Sequence, residues 1–236
     1  MKLILFTTDS THHKYFVQEL TNYYPINYII LEQNILSPPF STYHKFEDER
    51  NAYERDIFFN NKTVSFENFA PVFKTNSVND DICIKFLTNI QPDIVVVFGT
   101  RKLALKTIEN LSCNIINLHG GDPEMYRGLD SHLWAIYHND FNMLTTTLHH
   151  LNEHLDDGDI ILQMPIKIHH GMSIHQLRHY NTDVCIKITV SGLDMYKRYG
   201  HFINRTQKTK GRYYSFMPAI LKSICLEKFN KYTESL

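Results

Sequence analysis

The chain is predicted to be an α/β protein: a Rossmann-like, mixed but mainly parallel sheet with helices on both faces and a small antiparallel and C-terminal extension. Three observations predict it. Residues 93–98 carry Ile-Val-Val-Val-Phe after a single Asp, with no polar alternation, as a strand buried on both faces of a parallel sheet requires. Short apolar runs alternate with segments of helical apolar spacing, the pattern of a doubly wound sheet. Polar motifs, Gly99-Thr100-Arg101-Lys102 and Asn117-Leu118-His119, follow two of those runs at their carboxyl ends. Open α/β sheets bind their ligands there.

In chain order, residues 2–6 read as a buried strand, and Thr7-Thr8-Asp9-Ser10 supplies turn and N-cap residues. A helix follows with Tyr15, Phe16, Val17 and Leu20 as its apolar stripe. Residues 26–31 form a second strand, and Ser37-Pro38-Pro39 breaks the chain. Residues 46–59 predict a charged helix and 80–90 another, ended by Gln91-Pro92. After the strand at 93–98 come a short helix at 103–110 and a strand at 114–117. A helix is expected over 131–138, then strands at 145–151 and 160–165 as an antiparallel extension. Ser173 caps a long helix to Tyr199, with Ile174, Leu177, Val184, Ile188 and Met195 along one face. Residues 206–236 read as a basic, then aromatic tail. The expected organisation is a catalytic core over 1–170 and a C-terminal helix and tail, 171–236, packing on it.

With 236 residues the chain suits one domain, or one plus a small appendage. A formal net charge of −1 argues against nonspecific binding of nucleic acid. No apolar run has the length of a membrane span. The four cysteines are widely spaced and fit neither a zinc pattern nor a disulfide framework, so a reducing cytoplasm is expected. No Gly-x-Gly-x-x-Gly or Walker loop follows the first strand, so no dinucleotide or ATP site is expected. The pairs His12-His13, His149-His150 and His169-His170 invite a metal reading. Adjacent residues of a strand point to opposite faces, however, and no His-Glu-x-x-His or Cys-x-x-Cys occurs, so no metal is expected.

The chemistry centres on Asn117 and His119. Residues i and i+2 of a strand project from one face, so an amide donor and an imidazole base would lie side by side. Gly120 and Gly121 follow at once and leave room for a ligand near the backbone. Further on, Leu155-Asp156-Asp157-Gly158 adds a carboxylate on a turn.

Asn117-Leu118-His119, Tyr126-Arg127-Gly128, Thr146-Thr147-Leu148-His149 and the Asp156 loop followed by Ile160-Ile161-Leu162-Gln163 resemble, in order and spacing, the folate-dependent formyltransferase family. The stretch Gly120-Gly121-Asp122-Pro123 through Tyr126-Arg127-Gly128-Leu129-Asp130 departs from the family's usual Pro-Ser-Leu-Leu-Pro. It looks like the sugar N-formyltransferases. The resemblance implies formyl transfer from N10-formyltetrahydrofolate to the 4-amine of a nucleotide-linked, dTDP-type, 4-amino-4,6-dideoxyhexose for surface polysaccharide, by a cytoplasmic homodimer. It implies Asn117, His119 and Asp156 as the catalytic groups. The folate would lie against Arg101, Lys102 and Leu103 and the loop from Asn152 to Asp156, where backbone amides read the pterin edges. Thr8, Ser10, Asp122, Arg127, Trp134, Lys210 and Arg212 are candidate acceptor contacts. Structural roles stay open for them: a helix cap for Thr8 and Ser10, a loop pin for Arg127, core packing for Trp134, a solvated turn for Lys210 and Arg212. His149 is either a strand residue or a support for the site. Glycinamide ribonucleotide formylation, formyl-folate hydrolysis and noncatalytic nucleotide-sugar binding are the alternatives.

Overall fold

In the computed structural model, which describes residues 1–34 and 36–236, the amino-terminal apolar run is strand β1 (Leu3–Thr8). Ser10 caps helix α1 (Thr11–Thr21) through an extended backbone and a side-chain oxygen that accepts from the His13 amide. Next come β2 (Tyr28–Glu32), α2 (Phe46–Phe59), β3 (Val72–Thr75), α3 (Asp81–Ile90), β4 (Ile94–Phe98), α4 (Leu105–Asn110) and β5 (Asn114–His119). The second half holds β6 (Tyr126–Gly128), α5 (Ser131–Tyr137), β7 (Thr145–His150), β8 (Ile160–Pro165), α6 (Leu177–Tyr199), β9 (Arg212–Tyr214) and α7 (Ala219–Glu234).

Seven strands form one sheet in the order β3-β2-β1-β4-β5-β7-β8. The first five are parallel, and β7 and β8 add antiparallel edges. The order turns around between β1 and β4, the switch point where such sheets open a crevice at their carboxyl ends. Strand periodicity divides the core in two. Leu3, Leu5, Ile29, Val96 and Ile116 belong to the apolar cluster under α1, α5 and α6. Ile4, Phe6, Ile30, Val95, Val97 and Ile115 belong to the cluster that includes Cys83 and Leu87 of α3. Both faces of β4 are thereby covered, and all five of its residues are buried.

Three features differ from the sequence expectation. The four residues of β3, Val-Phe-Lys-Thr, were not expected as a strand; they pair with β2 at the sheet edge. So short a run shows no period of its own. The tail contains a helix of more than four turns, α7, which buries Cys225, Phe229 and the aliphatic stem of Lys222. Lys222 is 3% exposed, and its ammonium donates to the Thr42 carbonyl and pairs with Glu47 at 2.8 Å. A buried lysine dilutes the apolar stripe that marks a helix. Tyr126–Gly128 and Arg212–Tyr214 pair as a separate parallel two-stranded sheet, a contact between distant segments that local pattern does not carry. Ser173 and Gln176 form a reciprocal capping box on a short 3-10 turn leading into α6, and Gly200, at φ 75°, ends that helix.

Candidate active site

The carboxyl end of β5 brings Asn117 and His119 to the crevice. Asn117 lies opposite His149 of β7, and His119 opposite Thr147. The His149 Nδ1–H donates to the His150 carbonyl at 2.8 Å, which leaves Nε2 as an acceptor for Asn117 Nδ2 at 3.1 Å. The second N–H of the same amide reaches Asp156 Oδ1 at 3.5 Å. His119 is 5% exposed; its Nε2–H donates to the Tyr126 carbonyl at 2.7 Å, so Nδ1 is the nitrogen that faces Asp156, 3.5 Å from Oδ2. A Cβ at Gly121 would lie 3.0 Å from His119 Nε2 and 2.9 Å from Ser131 Cβ, so only glycine fits behind the ring.

The loop that carries Asp156 is tied at several points. Arg127 donates from Nη1 to the Leu155 carbonyl at 3.1 Å and from Nε to the Gly211 carbonyl at 2.9 Å. Gln207 Nε2 donates to the carbonyls of Asp156 and Gly158 at 3.0 and 2.9 Å. Gly158 passes so close to β7 that a Cβ there would stand 1.6 Å from the His150 carbonyl oxygen. Asp156 itself sits in the left-handed region at φ 50° and accepts from the Gly128 amide at 2.8 Å. Burial alone would push its carboxyl up. The neighbouring His119 and His149 and the Gly128 amide outweigh that and hold it well below the ordinary carboxylate range. Asp156 is therefore an anion wedged between two imidazoles.

These groups line one cavity of about 420 Å³ that also meets Arg101, Lys102, Leu103, Asn152 and Leu155. The backbone at 101–103 is itself clamped. The buried carboxylate of Glu32 accepts from the amides of Arg101 and Val78, at 2.8 and 3.1 Å. Asn79 donates to the Lys102 carbonyl at 3.0 Å and accepts from the Ala104 amide at 2.8 Å. The Arg101 amide is thus already engaged, and the Arg101 Nε is buried without a partner among the described residues.

Of six further lining residues, all but Asp130 lack a motif that marks them in the sequence. His12, His13, Arg50, Asp130, His132 and Arg178 all line the same cavity. Burial pushes His13 and His132 down to about 4, partly opposed by the Thr8 and Thr145 carbonyls that accept from their rings. The Arg50–Glu54 spacing in a charged helix reads as a solvated face; only the fold shows that Glu54 is fully buried. The one available signal for Asp130 was its place in Tyr-Arg-Gly-Leu-Asp.

The remaining candidates lie outside that cavity. Thr8 and Ser10 bond to the rings of His13 and His12, at 3.3 and 3.0 Å, and so stand behind the wall. Asp122 accepts from the Glu124 amide in a turn. Trp134 donates to the Ser215 carbonyl and stacks on Tyr214, ring centroids 4.9 Å apart. Lys210 pairs with Asp157 at 3.0 Å, and both Lys210 and Arg212 line a second cavity beside Tyr126 and Tyr214. Among the described residues no group of three His, Cys, Asp or Glu is placed to hold a metal ion, and no helix is long and apolar enough to cross a membrane.

Solved structures that share this fold include two formyltransferases. A sugar N-formyltransferase from Shewanella sp. superposes with a TM-score of 0.63 at 14% identity, covering 97% of this chain and 88% of that one. The formyltransferase PseJ from Anoxybacillus kamchatkensis, in complex with UDP-4,6-dideoxy-4-formamido-L-AltNAc and tetrahydrofolate, superposes with a TM-score of 0.56 at 16% identity, covering 91% and 86%. Among curated proteins, the bifunctional polymyxin resistance protein ArnA of Wigglesworthia glossinidia brevipalpis is 30% identical over 119 residues, 50% of this chain and 18% of that protein. Methionyl-tRNA formyltransferase of Porphyromonas gingivalis is 26% identical over 168 residues, 70% of this chain and 51% of that protein. The match therefore spans about half or less of the length of these relatives. Residues 40–191, which include β4, β5 and the Asp156 loop, match the family described as Formyl transferase. That stretch is well over half of the chain, and by it the chain belongs to the formyl transferase family.

Proposed function

We propose that the protein transfers a formyl group from N10-formyltetrahydrofolate to the 4-amine of a nucleotide-linked 4-amino-4,6-dideoxyhexose, dTDP-linked in the first instance. The observation that carries the reading is the convergence of Asn117, His119 and Asp156 on one cavity within the family's matched region. In transfer, the acceptor nitrogen bonds to the formyl carbon, the carbon–N10 bond breaks, and one proton passes from the amine to N10. The chain has a group for each demand. Asn117 has one N–H firmly held by His149 and a second in a long 3.5 Å contact to Asp156; the second is free to turn to the formyl oxygen as it becomes negative. His119 has Nε2 committed to the Tyr126 carbonyl, so Nδ1 takes the amine proton and returns it to N10. Asp156 stabilises the imidazolium in between, and its strongly favoured charge keeps it from taking the proton itself.

The folate fits against the clamped turn at 101–103 and the loop at 152–156, with Leu103 and Leu155 offering apolar contact. Within that turn the Arg101 amide is held by Glu32, so ring recognition falls to the remaining backbone groups and to the Asn152 loop. The test is to follow folate absorbance with a panel of dTDP- and UDP-linked amino sugars, each omitted in turn. Absorbance change that requires an amino sugar, with a formamide product by mass, is expected. Folate deformylation without any acceptor would replace this reading with hydrolysis.

A further inference from the structure

The same cavity is lined by two arginines, Arg50 and Arg178, that the transfer chemistry leaves unused. Arg178, at the start of α6, is bound in a two-pronged ion pair by Glu54 of α2, whose side chain is fully buried. Arg178 Nη2 also donates to Asn51 Oδ1 at 3.2 Å. Arg50, one turn earlier on α2, shares that acceptor: its Nη2 stands 3.5 Å from Asn51 Oδ1. Asn51 thus holds two guanidinium groups side by side.

Their states differ. Arg178 has its carboxylate. Arg50 has none close: the nearest carboxylate oxygen of Glu47 lies 4.0 Å away, and Glu47 is already paired to Lys222 at 2.8 Å. The Arg50 Nε is buried with no partner among the described residues. Burial and the neighbouring Arg178 charge lower Arg50 to about 10, which still leaves it cationic at neutral pH. Of the groups that face it, His12 and His13 are held below their usual range by burial and so are neutral. Asp130 lines the same cavity and accepts from the Met217 amide, and burial pushes its carboxyl up; Glu47 and Glu54 are engaged by Lys222 and Arg178. A guanidinium kept at a cavity wall with idle donors and a second guanidinium beside it is a site for a doubly bonded oxyanion.

Resting on the reading above, we infer that Arg50 and Arg178, set by Asn51 and Glu54, form the wall that binds the diphosphate of the nucleotide-linked acceptor. Arg50 supplies Nε and Nη1, and Arg178 supplies the Nη1 edge that Glu54 leaves open. The diphosphate is favoured over the folate carboxylates because the wall is built by α1, α2 and α6, whereas the expected folate contacts come from the β4 turn and the 152–156 loop.

The experiment is equilibrium binding of UDP, dTDP, uridine, thymidine and tetrahydrofolate to the whole chain and to its Arg50→Gln and Arg50→Lys variants. For Arg50→Gln the expected result is at least tenfold weaker binding of UDP or dTDP, with tetrahydrofolate and the nucleosides within twofold of the parent. Arg50→Lys recovers part of the loss, and the salt dependence of diphosphate binding is reduced in Arg50→Gln. Unchanged diphosphate affinity in Arg50→Gln overturns the inference. So does loss confined to tetrahydrofolate, or a parent chain that binds neither diphosphate. If the parent binds a diphosphate through Arg50 yet formylates no nucleotide-linked amine, the wall stands and the functional reading fails.

Discussion

His119 is held by a single strong bond, Nε2–H to the Tyr126 carbonyl, and that bond decides which nitrogen does chemistry. Replacing it with Asn keeps a polar group of similar reach but removes the titrating nitrogen. His119→Asn should lower turnover by about 10²–10⁴-fold, the usual range for general acid–base groups, while nucleoside diphosphate affinity stays within twofold. Turnover at the parent rate would remove His119 from the reaction. Asp156→Asn keeps an acceptor for the Gly128 amide but loses the charge beside the imidazole. It should cut turnover, since the imidazolium formed on His119 during proton transfer would lose its anion. The pairing of Asn117 with His119 was legible in the sequence because strand period 2 puts them on one face. Which of their N–H groups are already spoken for was not, because that depends on His149 and Tyr126, brought in by β7 and by the turn after β5.

Two loops are held by residues with no direct part in the reaction. Gly158 lets the Asp156 loop cross β7. Gly158→Ala would place a methyl against the His150 carbonyl, forcing the loop outward; destabilisation of about 1–3 kcal/mol and a parallel loss of activity are expected from denaturant unfolding and assay. An unchanged unfolding midpoint would mean that the loop has room to yield. Glu32→Ala strips the acceptor from two amides, at Val78 and Arg101, each costing about 1–3 kcal/mol if it stays buried and unpaired. It should weaken tetrahydrofolate binding more than diphosphate binding, because the 101–103 turn is released while the bonds that hold Arg50 and Arg178 are untouched. Strands and helices with full stripes, such as β4 and α1, were readable locally. β3 and the β6–β9 pair were not, since three or four residues carry no period and their partners are remote in sequence. The Glu54–Arg178 pair escaped for the same reason: an exposed charged helix and a buried ion pair have the same sequence.

Across the whole molecule, acid sensitivity follows from which groups are buried in which state. His13 and His132 are held near 4, below the unfolded value of about 6.5, so the unfolded chain takes up their protons first as pH falls. Their neutral burial contributes stability that is complete above about 6.5 and is lost progressively toward 4, at no more than about 1.4 kcal/mol per pH unit for each. Asp156, depressed in the fold, acts in a lower window: its contribution is present above about 3.9 and is lost as pH falls through the folded value. Urea unfolding at pH 7, 6 and 5 should therefore show falling stability well before the carboxylates titrate. A flat profile over that range would contradict the burial of these rings. The parallel sheet that buries them also brings the ends of β4 and β5 to one crevice, and the account as a whole stands on the chemistry done there. The most direct measurement is carbon NMR of the reaction of 13C-formyl-labelled N10-formyltetrahydrofolate with the protein and a dTDP- or UDP-linked 4-amino-4,6-dideoxyhexose. The label should move from the folate nitrogen to the sugar nitrogen as a formamide with the parent chain and remain on folate with His119→Asn. Label appearing as free formate, or moving equally fast in the variant, would contradict the account.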